Sequence, residues 1–215
     1  MKNKLFIFDL DMTILSLNIS TKQLSDMKEE INIYFKKYNI SHDSLRPLIP
    51  KIIFLSKVID NKELQNKIIQ DCFSIIDQVE TNPDGGIELN QGNIDLLNDL
   101  HEKGLRIGII SNNGKKGALN ALHKAKLHEN LFTFVITRDD VFLPKPFIDP
   151  YLKISHYFNE YDCYLFTDDI FDFLSLINLE KINNWSIEKY VVLQMDIKNQ
   201  SYNWVTANKM NFDML

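Results

Sequence analysis

Leu5-Phe6-Ile7-Phe8-Asp9-Leu10-Asp11-Met12-Thr13 opens as a short apolar run and stops at two carboxylates spaced i, i+2. The run reads as a buried strand, and both acids at its end can face one site. Burying an unpaired carboxylate is costly, so acids placed there point to a bound cation, a charge partner or chemistry. Asp9 and Asp11 are therefore the first candidate functional residues.

The chain has 215 residues, 45% of them hydrophobic. That suffices for one large domain, or a core with a small insertion. A formal net charge of -5 supplies no basic stripe to neutralise phosphates, which argues against a nucleic-acid partner and for a small-molecule one. Cys72 and Cys163 lie far apart and suggest neither a disulfide framework nor a zinc cluster, so both read as small packed hydrophobes. Lys2 and Lys4 ahead of the apolar run imitate a signal peptide, but Asp9 and Asp11 interrupt it. No apolar stretch reaches the length of a membrane span. The expectation is a cytoplasmic protein with no membrane partner, as a monomer or weak homodimer.

After Thr13 the pattern becomes helical, with Leu24, Met27, Ile31, Tyr34, Phe35 and Tyr38 on one face. Further apolar segments follow Pro47 and Pro50, and run from Leu64 to Val79, so residues 15–82 read as a helical unit. Asn82-Pro83-Asp84-Gly85-Gly86 is the strongest turn signal and marks the return to the main fold. Strands and helices then alternate. A helix over about 90–103 precedes a strand at 105–110, a helix at about 115–126 and a strand at 132–137. A helix after Asp149-Pro150 leads to a strand at 163–167, a helix at 170–178 and a strand at 191–194. This alternation predicts right-handed crossovers, a mostly parallel sheet covered on both faces, and functional groups at the carboxyl ends of the strands.

Polar residues sit at those ends: Asp9 and Asp11, Ser111-Asn112-Asn113-Gly114, Lys145-Pro146 beyond the 132–137 strand, and Thr167-Asp168-Asp169. Taken singly, each is an ordinary loop cap, turn or solvated lysine. Together they supply a nucleophile, a hydroxyl, an ammonium and metal-binding carboxylates, an inventory that suits phosphoryl transfer.

In the order Asp9-Leu10-Asp11-Met12-Thr13, Ser111-Asn112, Lys145-Pro146 and Asp168-Asp169-Ile170-Phe171-Asp172, the sequence resembles the haloacid dehalogenase superfamily of phosphohydrolases over nearly its whole length. Segments 84–113 and 138–158 resemble the phosphoglycolate-phosphatase and beta-phosphoglucomutase branch, in which a helical cap follows the first motif. The resemblance implies an α/β fold, with a Rossmann-like three-layer core and a mostly parallel sheet over residues 1–14 and 83–215, and an inserted helical cap over 15–82. It implies a magnesium-dependent phosphatase of a small phosphorylated metabolite, with Asp9 as nucleophile and Asp11 as general acid and then base. Asp9, the Asp11 backbone carbonyl and Asp168 would hold Mg2+, with Asp169 or Asp172 orienting them. Ser111, the Asn112 amide and Lys145 would hold the phosphoryl group, at a helix amino end that favours an anion. Thr13 would brace the first loop, and an acid at position 11 favours phosphate esters over carbon-halogen or carbon-phosphorus bonds.

The chain departs from the family pattern at Met12 and Thr167, each in place of the usual Gly, and lacks the small-residue segment that follows the fourth motif. The tail with Trp185 and Trp204 matches nothing in the pattern. Two other readings stand beside the phosphatase: a phosphomutase of the beta-phosphoglucomutase type, and a non-catalytic phosphate-ligand-binding protein with the same fold. His42, His101, His123, His128 and His156 show no metal-ligand spacing. His42 and Arg46, in the presumed cap, are the candidate substrate contacts there.

Overall fold

The computed structural model describes residues 3–183, 189–196 and 201–207. The chain begins with β1 (Asn3–Phe8) and β2 (Leu15–Leu17), followed by helices α1 (Thr21–Lys37), α2 (Leu48–Ser56) and α3 (Lys62–Thr81). Next come β3 (Ile87–Leu89), α4 (Gln91–Glu102), β4 (Arg106–Ile110), α5 (Lys115–Lys124) and β5 (Phe134–Ile136). The remainder is α6 (Asp149–Lys153), α7 (Ser155–Glu160), β6 (Tyr161–Thr167), α8 (Ile170–Asn183), β7 (Lys189–Asp196) and β8 (Ser201–Ala207).

The main sheet runs β5-β4-β1-β6-β7-β8, parallel throughout except for the β7–β8 pair. Phe8 pairs with Ile109 on one side and Phe166 on the other, so the residues after each strand emerge at a common edge. Leu5 and Ile7 join Cys163, Leu165, Tyr151 and Leu176 in one core, while Phe8 joins Ile109, Leu97 and Ala121 in another. A sheet buried on both faces needs near-continuous apolar strands, which is why β1, β4 and β6 do not alternate with polar residues. The result is the Rossmann-like α/β architecture expected. Cys72 and Cys163 are both buried, and neither is in a disulfide.

Helices α1–α3 form a third core around Ile31, Phe35, Ile52, Ile68 and Cys72. Ser20 and Asn61 start α1 and α3 by accepting hydrogen bonds from Gln23 N (3.1 Å) and Leu64 N (2.9 Å). The expected helical stretch from residue 15 begins differently, because Leu15–Leu17 is a strand paired antiparallel with Ile87–Leu89. Leu15 and Leu17 are buried on either side of a less buried Ser16, a period of two rather than 3.6. This two-stranded ribbon is where the chain leaves and re-enters the main fold.

Other boundaries also shift. The strand expected at 132–137 is only Phe134–Ile136, since a 3-10 turn at Glu129–Leu131 runs into Phe132. The helix expected after Pro150 is two short helices meeting at Ile154. Strand β8 places Trp204 opposite Leu193, whereas Trp185 lies outside the described residues. Among the described residues, no helix is long and apolar enough to cross a membrane.

Candidate active site

Asp9 follows β1 directly, and its amide still bonds Phe166 O at 2.9 Å, extending the ladder by one residue. Its Oδ1 accepts from Leu10 N (2.8 Å) and from Lys145 Nζ (3.0 Å). Lys145 also donates to Asp172 Oδ2 (2.8 Å) and Ile110 O (3.3 Å). All three side chains are buried. Burial alone would lower the Lys145 ammonium, but Asp172 and Asp9 outweigh it and hold the amine charged, above its usual range. Burial pushes the Asp9 carboxyl well up, Lys145 opposes it, and Asp172 and Asp168 add to it.

Asp172 is engaged at both oxygens. It accepts from Lys145, from Thr167 Oγ1 (2.7 Å) and from the Tyr151 hydroxyl. In this arrangement Asp172 orients the lysine, while Asp169 caps the start of α8 by accepting from Phe171 N (2.9 Å) and lines the cavity described below. Thr167 also accepts from Asp169 N at 2.9 Å, so the residue replacing the family glycine supplies a hydroxyl that braces both acids.

Asp11 Oδ1 accepts from Leu17 N (2.8 Å) and Met12 N (3.2 Å), which ties it to the two-stranded ribbon. Burial, with Glu80 and Asp168 adding to it, raises its carboxyl to about 6 against those two bonds. Met12 adopts a φ of 61°, the left-handed region that glycine enters without strain. A methionine thus holds a conformation that the usual glycine would adopt without strain. Thr13 donates to Asp168 Oδ1 at 3.1 Å, and Asn93 Nδ2 donates to Thr13 O at 2.5 Å. Burial also raises Asp168 and Asp169.

The Ser111–Gly114 turn between β4 and α5 is held from both sides. Ser111 Oγ donates to Asn113 Oδ1 (2.6 Å) and accepts from Asn113 N (3.1 Å), while Asn112 Nδ2 donates to Lys145 O (3.0 Å). The amino end of α5 was expected to favour a bound anion, but its amides already have protein carboxylates. Gly114 N donates to Glu80 Oε2 (2.8 Å) and Lys115 N to Asp139 Oδ2 (2.7 Å). Glu80 is in turn gripped by Arg138, at 3.1 Å to Oε1 and 3.0 Å to Oε2.

These residues surround one cavity of about 310 Å³, lined by Asp9, Asp11, Ser111, Lys145, Asp168 and Asp169, with Met12, Asn112, Asn113, Glu80 and Ile49 completing it. His42 and Arg46 are not among its walls. His42 packs edge-on to Phe35 at 5.7 Å, and Arg46 is exposed. The turn into α2 instead directs Ile49 to the cavity, an apolar contact at the place where polar ones were expected. Sequence reasoning also missed Glu80 and Arg138. The available signal was a carboxylate four residues beyond Ile76 on the apolar face of α3.

Asp9 and Asp168 are the side chains on one cavity wall that suit a hard cation. Among the described residues, no group of three or more His, Cys, Asp or Glu side chains is gathered to hold a metal by themselves. Magnesium needs only one or two carboxylates, with waters and substrate oxygens filling its octahedron.

A doubly wound sheet with acids, a lysine and a hydroxyl turn at its carboxyl edge defines a class of α/β enzyme with its site between core and helical insert. The chain belongs to the haloacid dehalogenase-like hydrolase family, whose model matches residues 6–178, and is an enzyme of that hydrolase class. Similar solved structures include a haloacid dehalogenase-like hydrolase from Bacteroides fragilis, at 14% identity and a TM-score of 0.57 over 88% of this chain and 96% of that one. A hydrolase from Pseudomonas syringae is similar at 23% identity and TM-score 0.55, over 84% and 81% of the two chains. A protein from Thermotoga maritima named for beta-phosphoglucomutase follows at 16% and 0.52, over 98% and 90%. At these identities the likeness is one of fold. No curated protein matches the chain.

Proposed function

We propose that the protein is a magnesium-dependent phosphatase acting on a small phosphorylated metabolite through an aspartyl phosphate on Asp9. The observation that carries this reading is Lys145, fixed by Asp172 and Ile110 O so that its ammonium lies 3.0 Å from Asp9 Oδ1. With Oδ1 occupied, Oδ2 is the oxygen left for attack. The cavity wall carries Asp9, Asp11, Glu80, Asp168 and Asp169 against Lys145. Such an excess of acid repels a phosphate dianion, and Asp9 and Asp168, raised first by burial, are raised further by neighbouring carboxylates. A cation relieves both, and Asp9, Asp168 and the Asp11 carbonyl suit Mg2+; when bound, it would neutralise charge on the phosphoryl oxygens.

Asp9 attacks phosphorus as the ester P–O bond breaks, and Asp11 passes its proton to the leaving oxygen. Asp11 then takes a proton from the water that hydrolyses the aspartyl phosphate, releasing inorganic phosphate and restoring Asp9. Ser111 and the Asn112 amide steady the phosphoryl oxygens, and α1–α3 serve as a cap that brings Ile49 over the cavity. The test is release of p-nitrophenol from p-nitrophenyl phosphate, with magnesium and then with EDTA. Turnover should need the metal, and Asp9→Asn should abolish it while the protein stays folded. A broad panel of esters with no metal-dependent release would overturn the reading.

A further inference from the structure

Glu80 and Arg138 lie 58 residues apart and are both buried, yet together they bond the backbone of three consecutive residues in the Ser111–Gly114 turn. Arg138 Nη1 donates to Asn112 O at 2.7 Å, Arg138 N donates to Asn113 O at 3.0 Å, and Gly114 N donates to Glu80 Oε2 at 2.8 Å. The guanidinium also meets Asp77 and lies over the Phe73 ring, with its carbon 4.8 Å from the ring centroid. Glycines let α3 come this close. A Cβ on Gly114 would collide with the Asp77 carboxylate of α3, 2.7 Å from its Cγ, and one on Gly117 would fall 3.0 Å from Glu80 Cβ. Asn120 Nδ2 adds a bond to Thr81 O at 2.9 Å. The last turn of α3 is thus fastened to the core at the turn that carries Ser111 and Asn112.

From this geometry we infer that Glu80 and Arg138 are positioning residues, which set the phosphate-gripping turn, Glu80 from the end of α3 and Arg138 from the segment after β5, and act on catalysis only through it. The inference rests on the proposed phosphatase reading for its kinetic consequence and on the structure alone for the turn. The Arg138 backbone amide holds Asn113 O whatever the side chain, so the side chains must fix Asn112 O and the Gly114 amide, and a planar guanidinium can span Asn112 O and both Glu80 oxygens whereas a lysine ammonium cannot. Misplacing a gripping group by about 1 Å costs roughly 100-fold in rate.

Arg138→Met alone would strand a buried Glu80 and risk unfolding. The test therefore uses the full chain as Glu80→Gln/Arg138→Met, with Arg138→Lys beside it. Amide hydrogen exchange over residues 112–115 should accelerate at least about 10-fold while exchange in β1 and β6 is unchanged. With magnesium and p-nitrophenyl phosphate, kcat/KM should fall by roughly 100-fold, and inorganic phosphate should inhibit correspondingly more weakly. Arg138→Lys should match the double variant. The inference is overturned if turn exchange and kcat/KM stay at wild-type values, if exchange rises equally throughout the sheet, or if Lys restores function. Should the wild-type enzyme hydrolyse no ester, the phosphatase reading fails by itself, and the exchange measurement still decides the role in the turn.

Discussion

Asp11 is held by two opposing influences: burial among carboxylates raises it to about 6, while the Leu17 and Met12 amides stabilise its charge. As the proposed general acid it works protonated, so attack on an ester with a poor leaving group should slow as pH rises through about 6. Asp11→Asn should abolish that pH limb. It should slow phosphoenzyme formation from alkyl phosphates far more than from p-nitrophenyl phosphate, and slow dephosphorylation with both, as pre-steady-state rates would read. A stability effect of definite sign accompanies this. A carboxyl raised on folding binds its proton more tightly in the native state, so its contribution is full below the unfolded value and is lost as pH climbs through about 6. In EDTA, Asp11→Asn should therefore gain stability relative to wild type near pH 8 and not near pH 4, by about 3 kcal/mol at most. Urea titrations at the two pH values check it. Met12 and Thr167 make a related point. Each replaces a glycine of the family pattern, yet one holds a left-handed backbone and the other adds a hydroxyl on Asp172.

At the scale of elements, the contact between α3 and α5 joins the helical insert to the core. Gly117 has a Cβ clearance of only 3.0 Å to Glu80, whereas Gly92 near the start of α4 meets nothing closer than 3.8 Å. Gly117→Leu should overpack the interface and cost about 1–3 kcal/mol, while Gly92→Ala should be neutral or gain about 0.5 kcal/mol by restricting the unfolded chain. Denaturant unfolding midpoints distinguish them. Helices α1 and α3 were legible because their apolar residues recur at helical spacing over several turns. The β2–β3 ribbon was not, since three residues are too few to show a period and their pairing partners lie 70 to 74 positions away. Strand β8 escaped notice for a similar reason: only pairing with β7 makes Ser201–Ala207 a strand.

For the molecule as a whole, a net charge of -5 and a cavity wall richer in carboxylate than cation make anion binding conditional on metal. Inorganic phosphate or orthovanadate should raise the melting temperature only with magnesium present. At a hundredfold excess over Kd the stabilisation should approach about 2.7 kcal/mol. Thermal melts with each component alone and both together check this, and a shift from the anion alone would count against the charge argument.

The sequence by itself determined the fold class and the four polar stations, because apolar strands, turn residues and strand-end acids are written locally, at spacings of a few residues. The tertiary structure decided what those stations touch. It set Asp172 against Lys145 and Tyr151, turned Ile49 rather than His42 or Arg46 toward the cavity, and filled the amino end of α5 with Glu80 and Asp139. Those partners come from segments far apart in the chain. Their meeting depends on sheet register and on how closely α3 approaches α5, quantities that local spacing does not encode.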